Sequence, residues 1–376
     1  MENAFHSDRI YGIEKSSKLV HSQPAPLSRP HNPGRIMSQP VSSLHSPVRL
    51  QEVAQAAGVS AVTVSRCISN PDRVSRKTRE HVLAIATELG YIPNRQASSL
   101  ASARTRVIGV VVPTSANPIH SMVMQGAADV LEPAGYQILL GHSHFSVEAE
   151  CELVRTFLGH RVDGILLTGK DHSPDCVDLL RRSGTPVVEM FDYNPEPLDM
   201  SVGSSNVDAG AALGRYLIGK GRRHLAFVGH VGLDDSRMAD RLAGLRLATE
   251  EAGLDAPVAY EITATPGTGQ GGEIIGTIIR EHPQTDAVVF AGHYVAVGAI
   301  RHALDLHLDI PGRVAIAGFG DSIVSGWIRP GLTTIRFPVR ETGMEAGRML
   351  LARLAGKTPS GRVTRLGFEI ISRESA

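Results

Sequence analysis

From Ser60 to Arg66 the chain reads SAVTVSR, and four of these seven side chains carry groups suited to a polyanion. The hydroxyls of Ser60, Thr63 and Ser65 can donate to phosphate oxygens, and the Arg66 guanidinium can hold a guanine edge through two hydrogen bonds. Ala61 and Val62 are small and apolar, so they can meet a thymine methyl but donate no hydrogen bond. This chemistry requires one exposed helix face, and the surrounding stretch from Val48 to Asn70, VRLQEVAQAAGVSAVTVSRCISN, has the means to build it. Leu50, Val53, Ala54 and Ala57 recur at helical spacing, Gly58 can take the positive φ that ends a helix, and Ser60 can cap a second helix running to about Ile68. Helix, tight turn, helix is the arrangement that lays its second helix in the DNA major groove. The same periodicity would also serve a plain helical hairpin inside some other core.

Basic residues gather beside this stretch: Arg73, Arg76, Lys77, Arg79, Arg95, Arg104 and Arg106. The formal net charge of all 376 residues is zero, so affinity for nucleic acid has to come from such a local cluster. After the turn at Asn70-Pro71-Asp72, Ser75 is a cap for a third helix, RKTREHVLAIATELG, with Val82, Ile85, Ala86 and Leu89 on its buried face and Gly90 as its stop. Residues 48–94 thus form a compact all-α head. Residues 95–106 form a polar hinge, either a flexible linker or a short helix that orders on DNA with Leu100 as a minor-groove wedge. Residues 1–47 are rich in Ser, Pro, His and Asn without apolar periodicity and are expected to be a disordered tail, with translation starting at Met1 or at Met37.

From Val107 the texture changes. IGVVVP, YQILLGH, DGILLTG, TPVVEMFD, HLAFVGH, AVVFAGH and RVAIAGFG are short apolar runs separated by helical patterns. Regular βα alternation means open parallel sheets covered on both faces, and two such series predict two doubly wound lobes over residues 107–376. Ligands of such sheets bind beyond the carboxyl ends of the strands. Those ends carry Pro113, His142, Thr168, Asp192, His230, His293 and Gly320.

Several other chemistries are excluded or weak. Cys67, Cys151 and Cys176 are far apart and make no CxxC pair, which argues against zinc or a disulfide framework and fits a reducing, cytoplasmic setting. No apolar run is long enough to span a bilayer, and MENAFHSDRIYGIEK lacks the apolar core of a signal peptide. His142 and His144 are a close pair without an acidic ligand at helical spacing, so no metal site is expected. GTGQGG, Gly267 to Gly272, has dinucleotide-loop spacing but lacks the tight strand-to-helix setting and the ribose-binding acid, and is expected to be a flexible surface loop. No GxSxG elbow or catalytic triad is present, and Asp321 is expected to be a cap or turn residue. Neither an enzyme nor a cofactor is expected.

The head, VAQAAGVSAVTVSRCISNPDRVSRKTRE followed by LGYIPN, resembles the lactose/galactose repressor family of transcription regulators. The resemblance runs on through the linker, RLAGLRLA at Arg241 to Ala248, AVG at Ala296 to Gly298, and GLTTIRFP at Gly331 to Pro338. Within the family, DGILLTGKDHSP, TPVVEMFDYN and VAIAGFGD are most similar to the gluconate-operon repressors. The resemblance implies a helix-turn-helix head hinged to a periplasmic-binding-protein-like core, and a homodimer or pair of dimers on double-stranded palindromic operator DNA, controlled by a small effector between the lobes. By the same resemblance, Ala61 and Val62 select half-site bases, Arg66 makes a base contact, Ser60, Thr63, Ser65, Ser75 and Asn94 meet phosphates, and Leu100 enters the minor groove. In the cleft, Arg241 matches the ligand-binding arginine and Asp192 lies at a strand end used for the ligand.

Two departures bear on the effector. Gly292-His293 stand where the family commonly has Asn-Asp, and Gly320 follows Gly318-Phe319 where a ligand-binding aspartate is common. Fewer carboxylates beside Arg241, Arg237, His142 and His293 lower the cost of burying an anion. The expected effector is therefore a sugar acid, namely gluconate, 6-phosphogluconate or a ketogluconate, with a neutral sugar or another metabolite as the alternative. A transport-associated solute receptor would share the lobes but would need a secretion signal and no DNA-binding head.

Overall fold

The computed structural model describes residues 48–92, 104–229, 236–262, 268–357 and 361–376. The chain divides into two compact units, one ending at Pro93 and the other starting at Asn94.

In the first unit, helix α1 (Leu50–Ala56) buries Val53 and Ala54, and Gly58, at φ +64°, turns the chain after it. Helix α2 (Ala61–Ser69) starts at Ser60, whose Oγ accepts from the Thr63 amide at 3.2 Å, so one orphan donor of the first turn is satisfied. Ser75 does the same for helix α3 (Arg76–Glu88), accepting from the Thr78 amide at 3.2 Å. Val53, Val64 and Val82 are fully buried where the three helices meet, each worth roughly 1.5–3 kcal/mol against exposure. The expected buried face of α3 ends one residue early. Leu89 is the C-cap, the chain leaves the helix at Gly90 with φ +67°, and the Leu89 side chain is exposed.

The second unit contains two six-stranded sheets. Lobe 1 is built from β1 (Val107–Val112), α4 (Pro118–Leu131), β2 (Gln137–His142), α5 (Val147–Gly159), β3 (Gly164–Thr168), α6 (Pro174–Ser183), β4 (Val187–Asp192) and β5 (Met200–Ser204). Lobe 2 follows with α7 (Asn206–Gly219), β6 (Leu225–Gly229), α8 (Ser236–Glu251), β7 (Val258–Glu261), α9 (Thr268–Glu281), β8 (Ala287–Phe290), α10 (His293–Asp305), β9 (Ala315–Phe319), α11 (Ile323–Trp327) and β10 (Thr333–Arg336). Helix α12 (Val339–Leu354) then packs back on lobe 1, where Ala346, Met349 and Leu350 join the core of Ile108, Val110 and Leu166. Strand β11 (Val363–Arg365) edges the first sheet, and β12 (Glu369–Ile371) closes the second, antiparallel to β10.

The orders are β11-β5-β4-β3-β1-β2 and β12-β10-β9-β8-β6-β7. Each sheet therefore reverses direction of growth at one place, between β1 and β3 or between β6 and β8, the kind of place where open α/β sheets in general bind ligands. The chain passes between lobes at residues 204–206, 336–339 and 365–369. Among the described residues no helix is long and apolar enough to cross a membrane.

One sequence expectation fails here. Apart from Gly267, which lies outside the described residues, GTGQGG forms the first turn of α9 and not a surface loop. Gly271 is pressed against α10 so closely that a Cβ would come within 1.8 Å of the Val295 carbonyl oxygen. Glycine is present there for backbone contact between helices rather than for flexibility.

Candidate functional site

The α2 face expected to be exposed is only partly so. Val62 is 57% exposed, Ser65 and Arg66 are exposed, and Ala61 and Thr63 are half-buried. Ser60 and Ser75 are engaged as caps, and each also lies within hydrogen-bond distance of a threonine hydroxyl, 2.9 Å to Thr63 and 2.8 Å to Thr78. A capping oxygen that accepts from a backbone amide keeps its own proton to donate. Each Ser–Thr hydroxyl pair uses one of its two protons between the partners and keeps the other to donate at a helix N-terminus, where the helix dipole favours an anion. Arg73, Arg76, Lys77 and Arg79 are exposed around the start of α3. Asn94 and Leu100, with Arg95, lie outside the described residues.

The second cluster lies between the lobes of the second unit. Asp192, buried at the end of β4, accepts from Asn206 Nδ2 at 2.7 Å, and Asn206 Oδ1 accepts from Arg241 Nε at 2.8 Å. Arg241 also donates through Nη1 to the Ala291 carbonyl at 2.6 Å, and its guanidinium lies 4.8 Å from the Phe319 ring centre and 5.5 Å from that of Phe337. Arg237, one helical turn earlier, lies 5.8 Å from the ring of Phe191. Phe191 has φ +79°, a left-handed conformation immediately before Asp192, and such strain costs about 1–3 kcal/mol and collects at functional sites.

Two further contacts join the lobes: Lys170 Nζ to Asp240 Oδ2 at 2.7 Å, and the Ser236 amide to Asp171 Oδ2 at 2.9 Å. Beside them a cavity of about 30 Å³, room for a water or two, is lined by Thr168, Gly169, Asp171, Glu150 and Arg237 among others. A larger cavity, about 260 Å³, is walled by Ile119 and Met122 of lobe 1, Gly320 and Arg336 of lobe 2, and the crossing at Phe337 and Pro338.

Residues 49–94 match the family described as bacterial regulatory proteins, lacI family, and residues 215–376 match the periplasmic binding protein-like domain. The HTH-type transcriptional regulator GntR of Escherichia coli (strain K12) is 34% identical over 324 residues, covering 85% of this chain and 96% of its own length. GntR of Pseudomonas aeruginosa is 35% identical over 327 residues, 87% of this chain and 95% of its own.

The chain belongs to the lacI family of bacterial regulatory proteins.

It is accordingly a DNA-binding transcriptional regulator and not an enzyme. A solved LacI-family regulator from Silicibacter pomeroyi superposes with a TM-score of 0.82 at 29% identity, over 88% of this chain and 99% of that one. The lac repressor dimer bound to operator and the anti-inducer ONPF gives 0.74 at 26% identity, over 88% and 99%.

In this lacI-family regulator two sequence expectations change. His293 is 1% exposed at the start of α10. Burial pushes its pKa down to about 4, outweighing the Asp321 charge and a hydrogen bond to the Phe319 backbone. It is neutral near pH 7 and does not add a positive charge to the cleft. Its Nε2, like that of half-buried His142, is buried without a hydrogen-bond partner among the described residues. Asp321 is neither cap nor simple turn residue. It accepts from Arg336 at 2.7 Å, Arg373 at 3.0 Å and Thr334 at 3.1 Å. Burial opposes its charge, but the bonds from Arg373 and Arg336 hold its carboxyl below the usual range.

Sequence reasoning missed Asn206, Lys170 and Asp240, and a buried cluster in lobe 1. His172 lies between Glu150, at 2.5 Å from Nδ1, and Glu189, at 3.7 Å from Nε2. Burial disfavours its charge, yet the two carboxylates hold its pKa up at about 9. Of these residues, only the position of Lys170 just after a strand end carried a signal that could have found it.

Proposed function

We propose that this regulator is a repressor of sugar-acid catabolism genes, released or retained on a palindromic operator by a sugar acid bound between its lobes. The reading divides the chain into a tail (1–47), a DNA-binding head (48–94), a hinge (95–106) and an effector-binding, dimerising body (107–376). Arg66, Ala61 and Val62 read bases, Ser60, Thr63, Ser65, Ser75 and Asn94 meet phosphates, and Leu100 enters the minor groove. Arg241, Arg237, Asp192, His142 and His293 form the effector site, one in each subunit of a homodimer or a dimer of dimers.

The observation that carries the effector assignment is the Arg241 guanidinium, held by Asn206 and Ala291 between the lobes. A planar guanidinium at a water-poor site recognises a carboxylate bidentately. Asp192 complements it as an acceptor for the hydroxyls of a polyol chain. His293 and His142 each bring a buried nitrogen that a hydroxyl can satisfy. The relatives named GntR support the same direction.

A neutral sugar is the second reading, favoured by the neutrality of His293. Calorimetry with gluconate, 6-phosphogluconate, a ketogluconate and glucose decides between them. Tight binding of glucose with no binding of any sugar acid would sink the first reading. A gel shift with and without the ligand that binds then gives the sign of control.

A further inference from the structure

We propose that Asn206 is the positioning residue of the effector site, a single amide that orients the Asp192 carboxylate from lobe 1 and the Arg241 guanidinium from lobe 2 together. The inference rests on the reading that the effector sits beside these two groups, and it adds what assembles them. Asn206 is the first residue of α7, placed where the chain has just crossed from β5 to lobe 2, and it is 4% exposed. Its Nδ2 donates to Asp192 at 2.7 Å and its Oδ1 accepts from Arg241 at 2.8 Å.

The chemistry of the bridge is restrictive. A carboxylate only accepts and a guanidinium only donates, so the residue between them must do both, with one group on each side. An amide does this, and its orientation is then fixed by its neighbours. The short distances follow from the backbone: α7 and α8 touch so closely that a Cβ on Gly210 would come within 2.2 Å of the Arg241 carbonyl oxygen. The Asn206 side chain is not needed to begin its helix. That task falls to Ser205, whose hydroxyl accepts from the Asp208 amide at 3.1 Å. A buried amide that neither caps nor fills an apolar core is explained by the two groups it joins. Because those groups stand on different lobes, the effector site is complete only at the inter-lobe angle that lets Asn206 reach both.

The test uses the full-length chain with Asn206→Asp and Asn206→Ala. Aspartate keeps the size and the acceptor for Arg241 but places a second carboxylate against Asp192. Among the described residues the charged groups facing that pair include Arg241, through residue 206, and Lys170, whose own pKa responds to Asp192, with Asp171 and Asp240 beside Lys170. Two carboxylates in contact share a proton at low pH. Ligand-free N206D is therefore expected to melt below wild type at pH 7, with the gap closing as pH falls below about 5. With gluconate as probe, N206D is expected to bind at least about tenfold more weakly at pH 7.5 and to recover at pH 5. Asn206→Ala is expected to weaken gluconate binding without that recovery. An N206D melting gap that does not depend on pH, or wild-type gluconate affinity in N206D at pH 7.5, overturns the proposal. If the wild-type chain binds no sugar acid, the sugar-acid reading falls, and the ligand-free melting profile alone decides the bridge.

Discussion

Lys170 and Asp240 pair across the two lobes at 2.7 Å, each about a quarter exposed. The ammonium stands just after β3 and the carboxylate on α8, while Asp171 accepts from the Ser236 amide beside them. Together these contacts join the two lobes. Burial works against the Lys170 charge, but the bond to Asp240 and the nearby Asp192 and Asp171 carboxylates raise its pKa. A partly exposed pair contributes about 0.2–1 kcal/mol. Asp240→Asn is therefore expected to weaken effector binding by up to about fivefold without changing the melting temperature appreciably. The difference should shrink in high salt, because screening weakens the pair in wild type. Titration at two ionic strengths checks this, and stronger effector binding by the variant would show that the pair opposes closure.

His172 predicts a stability term that disappears in alkali. Its folded pKa, about 9, stands above the ordinary 6.5, so the folded state holds the proton more tightly than the unfolded chain. The stabilisation is fully present below about 6.5 and is lost as pH rises through about 9. His172→Gln should melt well below wild type at pH 6.5, since Glu150 and Glu189 lose their buried counter-charge. By pH 10 the two proteins should converge. A melting series across this range is the measurement, and a gap that stays constant would contradict a charged His172. His293 works in the opposite sense: its pKa of about 4 means stability is present above 6.5 and declines as pH falls toward 4.

Local signals marked the helices of the head and missed Asn206 in the cleft for a common reason. Ser60, Ser75, Gly58 and Gly90 act on the backbone within a few residues of themselves, so their spacing alone marks where helices begin and end. Asn206 acts on Asp192 and Arg241, which are distant in sequence, and its neighbours Ser205 and Asp208 look like an ordinary helix start. Burial of His293 depends on how α10 packs on β9, so the charge of its ring was not legible from its place after a strand. The central strands showed as apolar runs. MSVGS and VAYE did not: the first is buried but built from small and polar residues, and the second is a half-exposed edge. Gly271 shows the same limit in reverse, since tight helix contact and loop flexibility call for the same residue.

Arg66 and its neighbours should separate specificity from general affinity. Arg66 is exposed on α2, with no ion-pair partner on that helix. Replacing it with alanine is expected to cost about 1–3 kcal/mol of operator binding and to relax one base position. Lys77→Ala, at an exposed position near the start of α3, should instead weaken all sequences alike and reduce the salt dependence by about one phosphate contact. Val62→Gln should move the preferred half-site, because an amide can hold adenine where a valine meets a thymine methyl. Binding to a randomised operator library at matched salt resolves the three outcomes. An unchanged footprint and base preference in R66A would remove Arg66 from the base-reading set.

Trp327 is the chain's single tryptophan and is 75% exposed, one helical turn from Ile323, which is 62% exposed. Two large apolar side chains are left in water on this one short helix, and tryptophan is prominent among residues that dominate protein–protein contacts. The proposed homodimer supplies the occupant, a second copy of this chain. If α11 lies in that interface, tryptophan emission should shift to shorter wavelength as the protein is concentrated, with one transition because a single indole reports. Trp327→Ala should raise the dimer dissociation constant by at least about thirtyfold, in keeping with a loss of 2 kcal/mol or more at a central anchor. Binding to a palindromic operator should then become steeply dependent on protein concentration, while affinity for a single half-site is unchanged. Sedimentation of the variant checks the first expectation and a gel shift on paired and single half-sites checks the second. A W327A protein that remains dimeric at nanomolar concentration would place the dimer contact on another face.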